Sequence, residues 1–243
     1  MRIPRLFIDM SLLSGEIISL PREKAHHLSH VLRMRSGDAI KLFNNTGYEF
    51  DSTIVELTKK NARIEVKESC QVDNESILKI TLCLAIARGQ HMDYSIQKAV
   101  ELGASKIIPV MSEFSNVKLQ DDRVQNKMTH WQNIIINATE QCGRNRLTEL
   151  MNPVSFSECL AINDSTSRLI LHPFSQQAMS AMTIDNNQLT LMIGPEGGFS
   201  DAEVSEALDK SVIPVCLGPR ILRAETAVVA ALSNAQQLWG DLN

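Results

Sequence analysis

The sequence predicts an α/β chain in two parts: a small, mostly-β module over residues 1–72 and a larger α/β domain over residues 73–243 built on a mostly parallel sheet. Three observations carry this expectation. The early segments "DAIKLFNN", "YEFDSTIVEL" and "NARIEVKES" alternate apolar and polar residues, the signature of half-buried strands. From Ile77 onward, apolar runs alternate with helical patterns, as a parallel sheet with crossover helices requires. Three of those runs also end alike, in "LILHP", "LMIGP" and "VCLGP", with a proline just past the strand where its missing N–H does no harm.

The elements follow in order. "REKAHHLSHVLRM" has helical spacing, with Ala25, Leu28, Val31 and Leu32 on one face. The strands of residues 38–68 come next, with "NNTG" as turn chemistry between the first two. "QVDNES" (71–76) is polar and aperiodic and reads as a linker. "LKITLCLAIA" is a nearly continuous apolar strand, which implies burial on both faces. "DYSIQKAVELG" is a helix stopped by Gly103, "KIIPVMS" a strand, and "KMTHWQNIIINATEQCG" a helix stopped by Gly143. The strands "RLILHP", "LTLMIGP" and "IPVCLGP" follow, then the alanine-rich helix "ETAVVAALSNAQQLWG".

Composition narrows the class. Apolar residues make up 44% of 243, ample for a buried core. No apolar stretch approaches the ~20 residues of a membrane span, and "MRIPRLFID" lacks the features of a signal peptide. Five widely spaced cysteines without a CxxC fit reduced thiols in a cytoplasm and argue against a zinc knuckle. Net charge is −4, which speaks against a nonspecific nucleic-acid coat, although the first 70 residues are mildly basic. His26 and His30 are four apart on a helix but have no third ligand in sight, so they read as a solvated face. Cys142 reads as structural.

The chemistry is expected at the strand ends. In open α/β sheets, ligands sit at the carboxyl edge. "LMIGPEGGFSDAEV" follows its strand with a sharp change of direction at Gly197 and Gly198, then an N-cap at Ser200 with Glu203 completing a capping box. No GxxxxGK[ST] and no GxGxxG occurs. The loops offer main-chain groups and few charges, which favours a ligand with an adenine-like face over a polyphosphate.

"IGPEGGFSDAEV", "LGPRILRAETAVVAAL", "ARGQHMDYSIQKAVELGASKIIPV" and "EQCGRNRL" resemble the RsmE family of 16S rRNA uridine-N3 methyltransferases, within the SPOUT superfamily. "RIPRLFI" and "HHLSHVLRMRSGDAIKLF" are similar to that family's PUA-like RNA-binding domain. The resemblance implies a C-terminal SPOUT α/β domain with a trefoil knot, a small N-terminal PUA-like domain, S-adenosylmethionine (SAM) bound by the knot loops, and a homodimer. It implies action on a uridine in the decoding region of 16S rRNA on the small ribosomal subunit, in the cytoplasm, with no metal and no membrane.

By match of motif, cofactor contacts fall on Leu171, His172, Ile193, Gly194, Pro195, Glu196, Gly197, Gly198, Leu217, Gly218, Ile221, Leu222 and Arg223. Ala224 stands where the family often has threonine.

Methyl transfer from a sulfonium needs an in-line nucleophile and a held donor, so proximity and orientation carry much of the rate. Uridine N3 holds a proton whose removal at pH 7 costs roughly 3 kcal/mol. A cation near the uracil oxygens, or a base near N3, lowers that cost. Arginine suits the first role. The candidates are Arg88, Arg144, Arg146, Arg220 and Arg223, with Glu225 as base or as a group orienting an arginine. Arg88, Arg144, Arg223 and Glu225 are the expected catalytic set; Arg2, Arg5, Arg33, Arg35 and Arg146 are the expected RNA contacts. Two rival readings stand beside this one: a SPOUT 2′-O-ribose methyltransferase, and a noncatalytic RNA-binding dimer.

Overall fold

A computed structural model describes residues 3–58, 60–115, 121–162 and 167–242. The chain divides into two compact units, one of residues 1–75 with 139–147, the other of 76–138 with 148–243.

In the first unit, β1 (Arg5–Phe7), β2 (Ile17–Leu20), β3 (Ala39–Phe43), β4 (Tyr48–Leu57) and β5 (Ala62–Gln71) form a sheet in the order β1-β3-β4-β5-β2. β1 runs parallel to β3, and the remaining pairs are antiparallel. The alternation predicts which side chains turn inward: Ile40 and Leu42 of β3, Ile54 of β4, and Ile64 and Val66 of β5 are buried together with Leu6, Leu20, Ala25 and Leu28.

The expected helix over 22–34 is interrupted. α1 (Arg22–His26) gives way to a wide turn over His27–Val31, closed by the Leu32 N–H donating to the His27 carbonyl at 3.0 Å. The Ser29 hydroxyl donates to the Ala25 carbonyl at 2.9 Å and competes with the regular ladder there. His26 and His30 stack at 4.2 Å on this turn. The polar stretch read as a linker is tied down: the Val72 N–H donates to the Gly47 carbonyl, and the buried Ser76 hydroxyl donates to Gln236 Oε1 at 2.7 Å.

The second unit holds β6 (Lys79–Ala85), β7 (Ala104–Met111), β8 (Glu149–Leu150), β9 (Val154–Ser155), β10 (Ser167–Leu171), β11 (Gln188–Ile193) and β12 (Ile213–Val215). Their order is β12-β10-β11-β6-β7-β8, with β9 also on β7, and every pair is parallel. The helices are α2 (Gln90–Glu101), α3 (Asp121–Cys142), α4 (Phe156–Ala161), α5 (Asp201–Asp209) and α6 (Ala224–Trp239). β11 lies between β10 and β6, which explains its unbroken apolar run: Leu189 through Ile193 are all buried. Cys83, Ile108, Ile170 and Met192 from four strands pack with Phe156 and Leu160 of α4 and Ala207 of α5.

Candidate functional site

Because β12, β10 and β11 are adjacent and parallel, their carboxyl ends meet at one edge of the sheet. The loops leaving them enclose a cavity of about 440 Å³, within the size range of small-molecule sites. Its floor is apolar and buried, with Ile193, Val215 and Ala224.

Each loop is held by its own main chain. After β10, the His172 N–H donates to the Val215 carbonyl at 2.9 Å, and the Ser175 hydroxyl donates to the Pro214 carbonyl at 2.8 Å. After β12, the Cys216 N–H donates to the Gln177 carbonyl at 2.8 Å. After β11, the Gly198 N–H closes a turn on the Pro195 carbonyl at 2.9 Å, with Gly198 at φ +74°. A Cβ on Gly194 would stand 3.1 Å from the Gly198 carbonyl carbon, so glycine there permits a close backbone approach. The chain then enters α5 through the expected capping box. Ser200 Oγ accepts from the Glu203 N–H at 3.3 Å, and Glu203 Oε2 accepts from the Ser200 N–H at 2.9 Å. Glu203 Oε1 also accepts from the Glu113 N–H at 2.9 Å, which ties this loop to the end of β7.

Twelve of the residues expected to hold the cofactor line this cavity: Leu171, His172, Ile193, Gly194, Pro195, Glu196, Gly197, Gly198, Leu217, Gly218, Ile221 and Leu222. Arg223 does not; it is the exposed N-cap of α6. The lining also includes Phe174, Phe199, Asp201, Arg220 and Ala227. A helix starting at Ala224 carries Ala227 on the same face one turn on, a spacing that could have flagged both. The charged side chains Glu196, Asp201 and Arg220, with the imidazole of His172, accompany a lining otherwise made of glycine, proline and apolar side chains. Such a cavity suits a largely uncharged, flat ligand read by main-chain donors and acceptors.

The expected catalytic residues are placed differently. Arg88 is exposed on the loop after β6, next to Gly89. Glu225, in the first turn of α6, pairs through Oε1 with His91 Nδ1 at 3.2 Å, and its buried Oε2 has no hydrogen-bond partner among the described residues. Neither lines the cavity.

Arg144, expected in the catalytic set, does not line the cavity. Its side chain is buried in the first unit and grips Glu75, with Nη2–Oε2 at 2.6 Å and Nε donating to both carboxylate oxygens at 3.1 and 3.2 Å. Among the arginines weighed for that role, Arg220 lines the cavity.

The RNA candidates divide in the same way. Arg33 and Arg35 are exposed, and Arg146 is exposed while Nη2 donates to the Thr46 carbonyl at 3.1 Å. Arg2 lies outside the described residues. Arg5 is corrected: its buried guanidinium pairs with Glu49, donates to the Arg144 carbonyl at 2.7 Å and to Asn145 Oδ1 at 2.6 Å, and lies over the Phe43 ring. It holds β1 to the 144–145 segment. Glu49 also accepts from Lys41, and that bond holds the Lys41 ammonium above the ordinary lysine range. Cys142 is half-buried, with Sγ against the Thr139 carbonyl at 3.7 Å. Among the described residues, no group of three or more His, Cys, Asp or Glu is placed to hold a metal ion, and no helix is long and apolar enough to cross a membrane.

Residues 74–236 match the sequence pattern of an RNA methyltransferase domain, and residues 20–67 that of an RNA methyltransferase PUA domain. The ribosomal RNA small subunit methyltransferase E of Buchnera aphidicola from Schizaphis graminum is 37% identical, with 100% of this chain and 99% of that protein aligned.

The chain belongs to the ribosomal RNA small subunit methyltransferase E family.

A Bacillus subtilis (strain 168) member of the family is 30% identical, with 94% of each chain covered. The methyltransferase E of Neisseria gonorrhoeae, crystallised with S-adenosyl methionine, superposes over 100% of both chains with a TM-score of 0.93 and 34% identity. A Legionella pneumophila protein solved with bound SAM superposes over 100% of both chains with a TM-score of 0.97 and 38% identity. The cavity and its three loops lie wholly inside residues 74–236, the span of this chain that matches the RNA methyltransferase domain.

Proposed function

We propose that this chain transfers a methyl group from SAM to N3 of a uridine in the decoding region of 16S rRNA, on the small ribosomal subunit. Membership of the family makes it a SAM-dependent RNA methyltransferase. The observation that carries the reading is the cavity at the carboxyl ends of β10, β11 and β12, lined by the glycine- and proline-rich loops that leave those strands. The residues present fit the donor: the Gly194 and Gly198 backbones are in close contact, Gly218 sits at φ +110°, and the floor is apolar.

SAM supplies the methyl group as a sulfonium when bound. Leu171, His172, Ile193 to Gly198, Leu217, Gly218, Ile221 and Leu222 would hold it, chiefly through main-chain atoms, and the buried floor excludes water. Arg220 offers a guanidinium to the uracil oxygens, where negative charge develops as N3 loses its proton. Glu225, held by His91, is the acceptor we assign to that proton. Arg88 and Arg223, both exposed, are available to the incoming RNA, as are Arg33, Arg35 and Arg146.

The same proposal takes residues 1–72 as the RNA-binding domain, residues 73–243 as the knotted methyltransferase domain, the working species as a homodimer and its compartment as the cytoplasm. The dimer rests on what the family resemblance implies; sedimentation at micromolar concentration tests it.

The decisive experiment is methylation of small-subunit particles and of naked 16S rRNA with labelled SAM, followed by digestion and mass spectrometry. Label on N3 of a single uridine is expected. Label on a ribose would point to 2′-O transfer, and failure to bind SAM by calorimetry would overturn the enzymatic reading.

A further inference from the structure

Among the described residues, the two most exposed large apolar side chains are Ile221 (77%) and Phe174 (73%), and both line the one cavity already described. They come from different loops, after β12 and β10. Large apolar side chains left in water at a ligand site are held there for something that covers them.

Phe174 does not sit on a loose loop. Pro173 precedes it, the Ser175 N–H donates back to the His172 carbonyl at 3.1 Å, and the Ser175 hydroxyl is anchored on Pro214. Its ring meets the His172 ring edge-on at 5.9 Å. The result is an exposed aromatic face on a fixed frame, with the exposed Arg220 lining the same cavity.

We propose that Phe174 is the platform on which the target nucleobase stacks once it leaves its neighbours, with the exposed side chain of Ile221, whose main chain is assigned to the donor, as the second apolar wall and Arg220 as the nearby cation. This rests on the function proposed above. That function places the methyl donor on the buried floor and leaves the exposed rim for the other reactant. An enzyme acting on a ring atom must unstack the base, and an unstacked base in RNA is held by an aromatic face together with an arginine. Such stacking is sequence-tolerant, so Phe174 sets the position of the base and leaves its identity to hydrogen bonds.

The test uses the full-length chain, its Phe174→Ala and Phe174→Trp variants, and small-subunit particles lacking the modification. Phe174→Ala is expected to lower kcat/KM for the particles by about tenfold to a hundredfold, through KM, with the calorimetric SAM affinity unchanged. Phe174→Trp is expected to keep near-parental kinetics, and its added indole fluorescence to be quenched by the particles, a readout that needs no turnover. Unchanged kinetics in Phe174→Ala would overturn the proposal. So would an equal loss of SAM affinity, which would make Phe174 part of the donor's pocket, or a change of sedimentation coefficient, which would make a second copy the covering group. Absence of methylation by the parent would count against the proposed function, while the quenching experiment would still decide the role of Phe174.

Discussion

Two short segments of this chain read alike and behave in opposite ways. Gly143-Arg144-Asn145-Arg146 follows a helix, and Gly218-Pro219-Arg220-Ile221-Leu222-Arg223 follows a strand; each is a glycine with arginines close behind. In the first, Arg144 and Asn145 are buried, Arg144 on Glu75 and Asn145 on Arg5 and the Val72 carbonyl. In the second, Arg220 and Arg223 stay exposed and the loop lines the cavity. The difference lies in the partners. A carboxylate 69 residues away meets Arg144 in the fold and satisfies its planar fork, whereas no salt bridge to Arg220 or Arg223 is seen among the described residues. An arginine motif therefore signals a site when its tertiary surroundings leave it unneutralised.

Substitutions can break or sharpen that contrast. The largest effect is expected for Arg144→Ala, which strands Glu75 without its counter-charge. Stability should fall by about 3–5 kcal/mol in urea denaturation, and any loss of methylation should follow the unfolded fraction. Gly194→Ala comes next. The new Cβ lies 3.1–3.2 Å from Gly198 and Phe199 backbone atoms; the loop must move, at about 1–3 kcal/mol, and SAM affinity by calorimetry should fall about tenfold or more.

Glu140→Gln probes the locked region by pH. Burial pushes the Glu140 carboxyl above the ordinary carboxylate range, while its Oε1 accepts from the Phe7 N–H at 2.9 Å. A raised folded-state value means that its stabilising contribution is full below the unfolded carboxylate range and is lost as pH rises through the folded value. Glutamine keeps an acceptor and removes that loss. The variant should therefore gain on the parent as pH rises from the ordinary carboxylate range through the raised folded-state value, by no more than a hydrogen bond's worth, about 1 kcal/mol. The smallest stability effect is expected for Arg220→Ala, within about 0.5 kcal/mol as for an exposed residue, yet with reduced methylation. A large stability loss there, or none for Arg144→Ala, would erase the distinction between the two segments.

Much of the architecture was legible because its signals are local. The alternation in β3, β4 and β5, the apolar runs of β6 and β11, the glycine stops at Gly103 and Gly143 and the capping box at Ser200 all lie within a few residues of one another. β1 and β2 carry no such signal: three and four residues long, they are strands because β3 and β5 lie beside them. α4 went unread although its own capping box, Ser155 with Glu158, is of the same kind as Ser200 with Glu203. At the site, the loop residues were legible because glycine and proline mark where backbone must bend. Phe174 was not, since one aromatic after a strand looks the same whether it packs inward or stands in water.

By itself, the sequence determined most of the longer elements, the three bends and the family, because periodicity, caps and turns depend on neighbours along the chain. Tertiary structure alone decided which arginine is a strut and which faces a cavity, that Glu225 meets His91, and that three separated loops share one edge of a sheet. Charge neutralisation and burial are set by residues tens of positions apart, and only folding brings those within reach of one another.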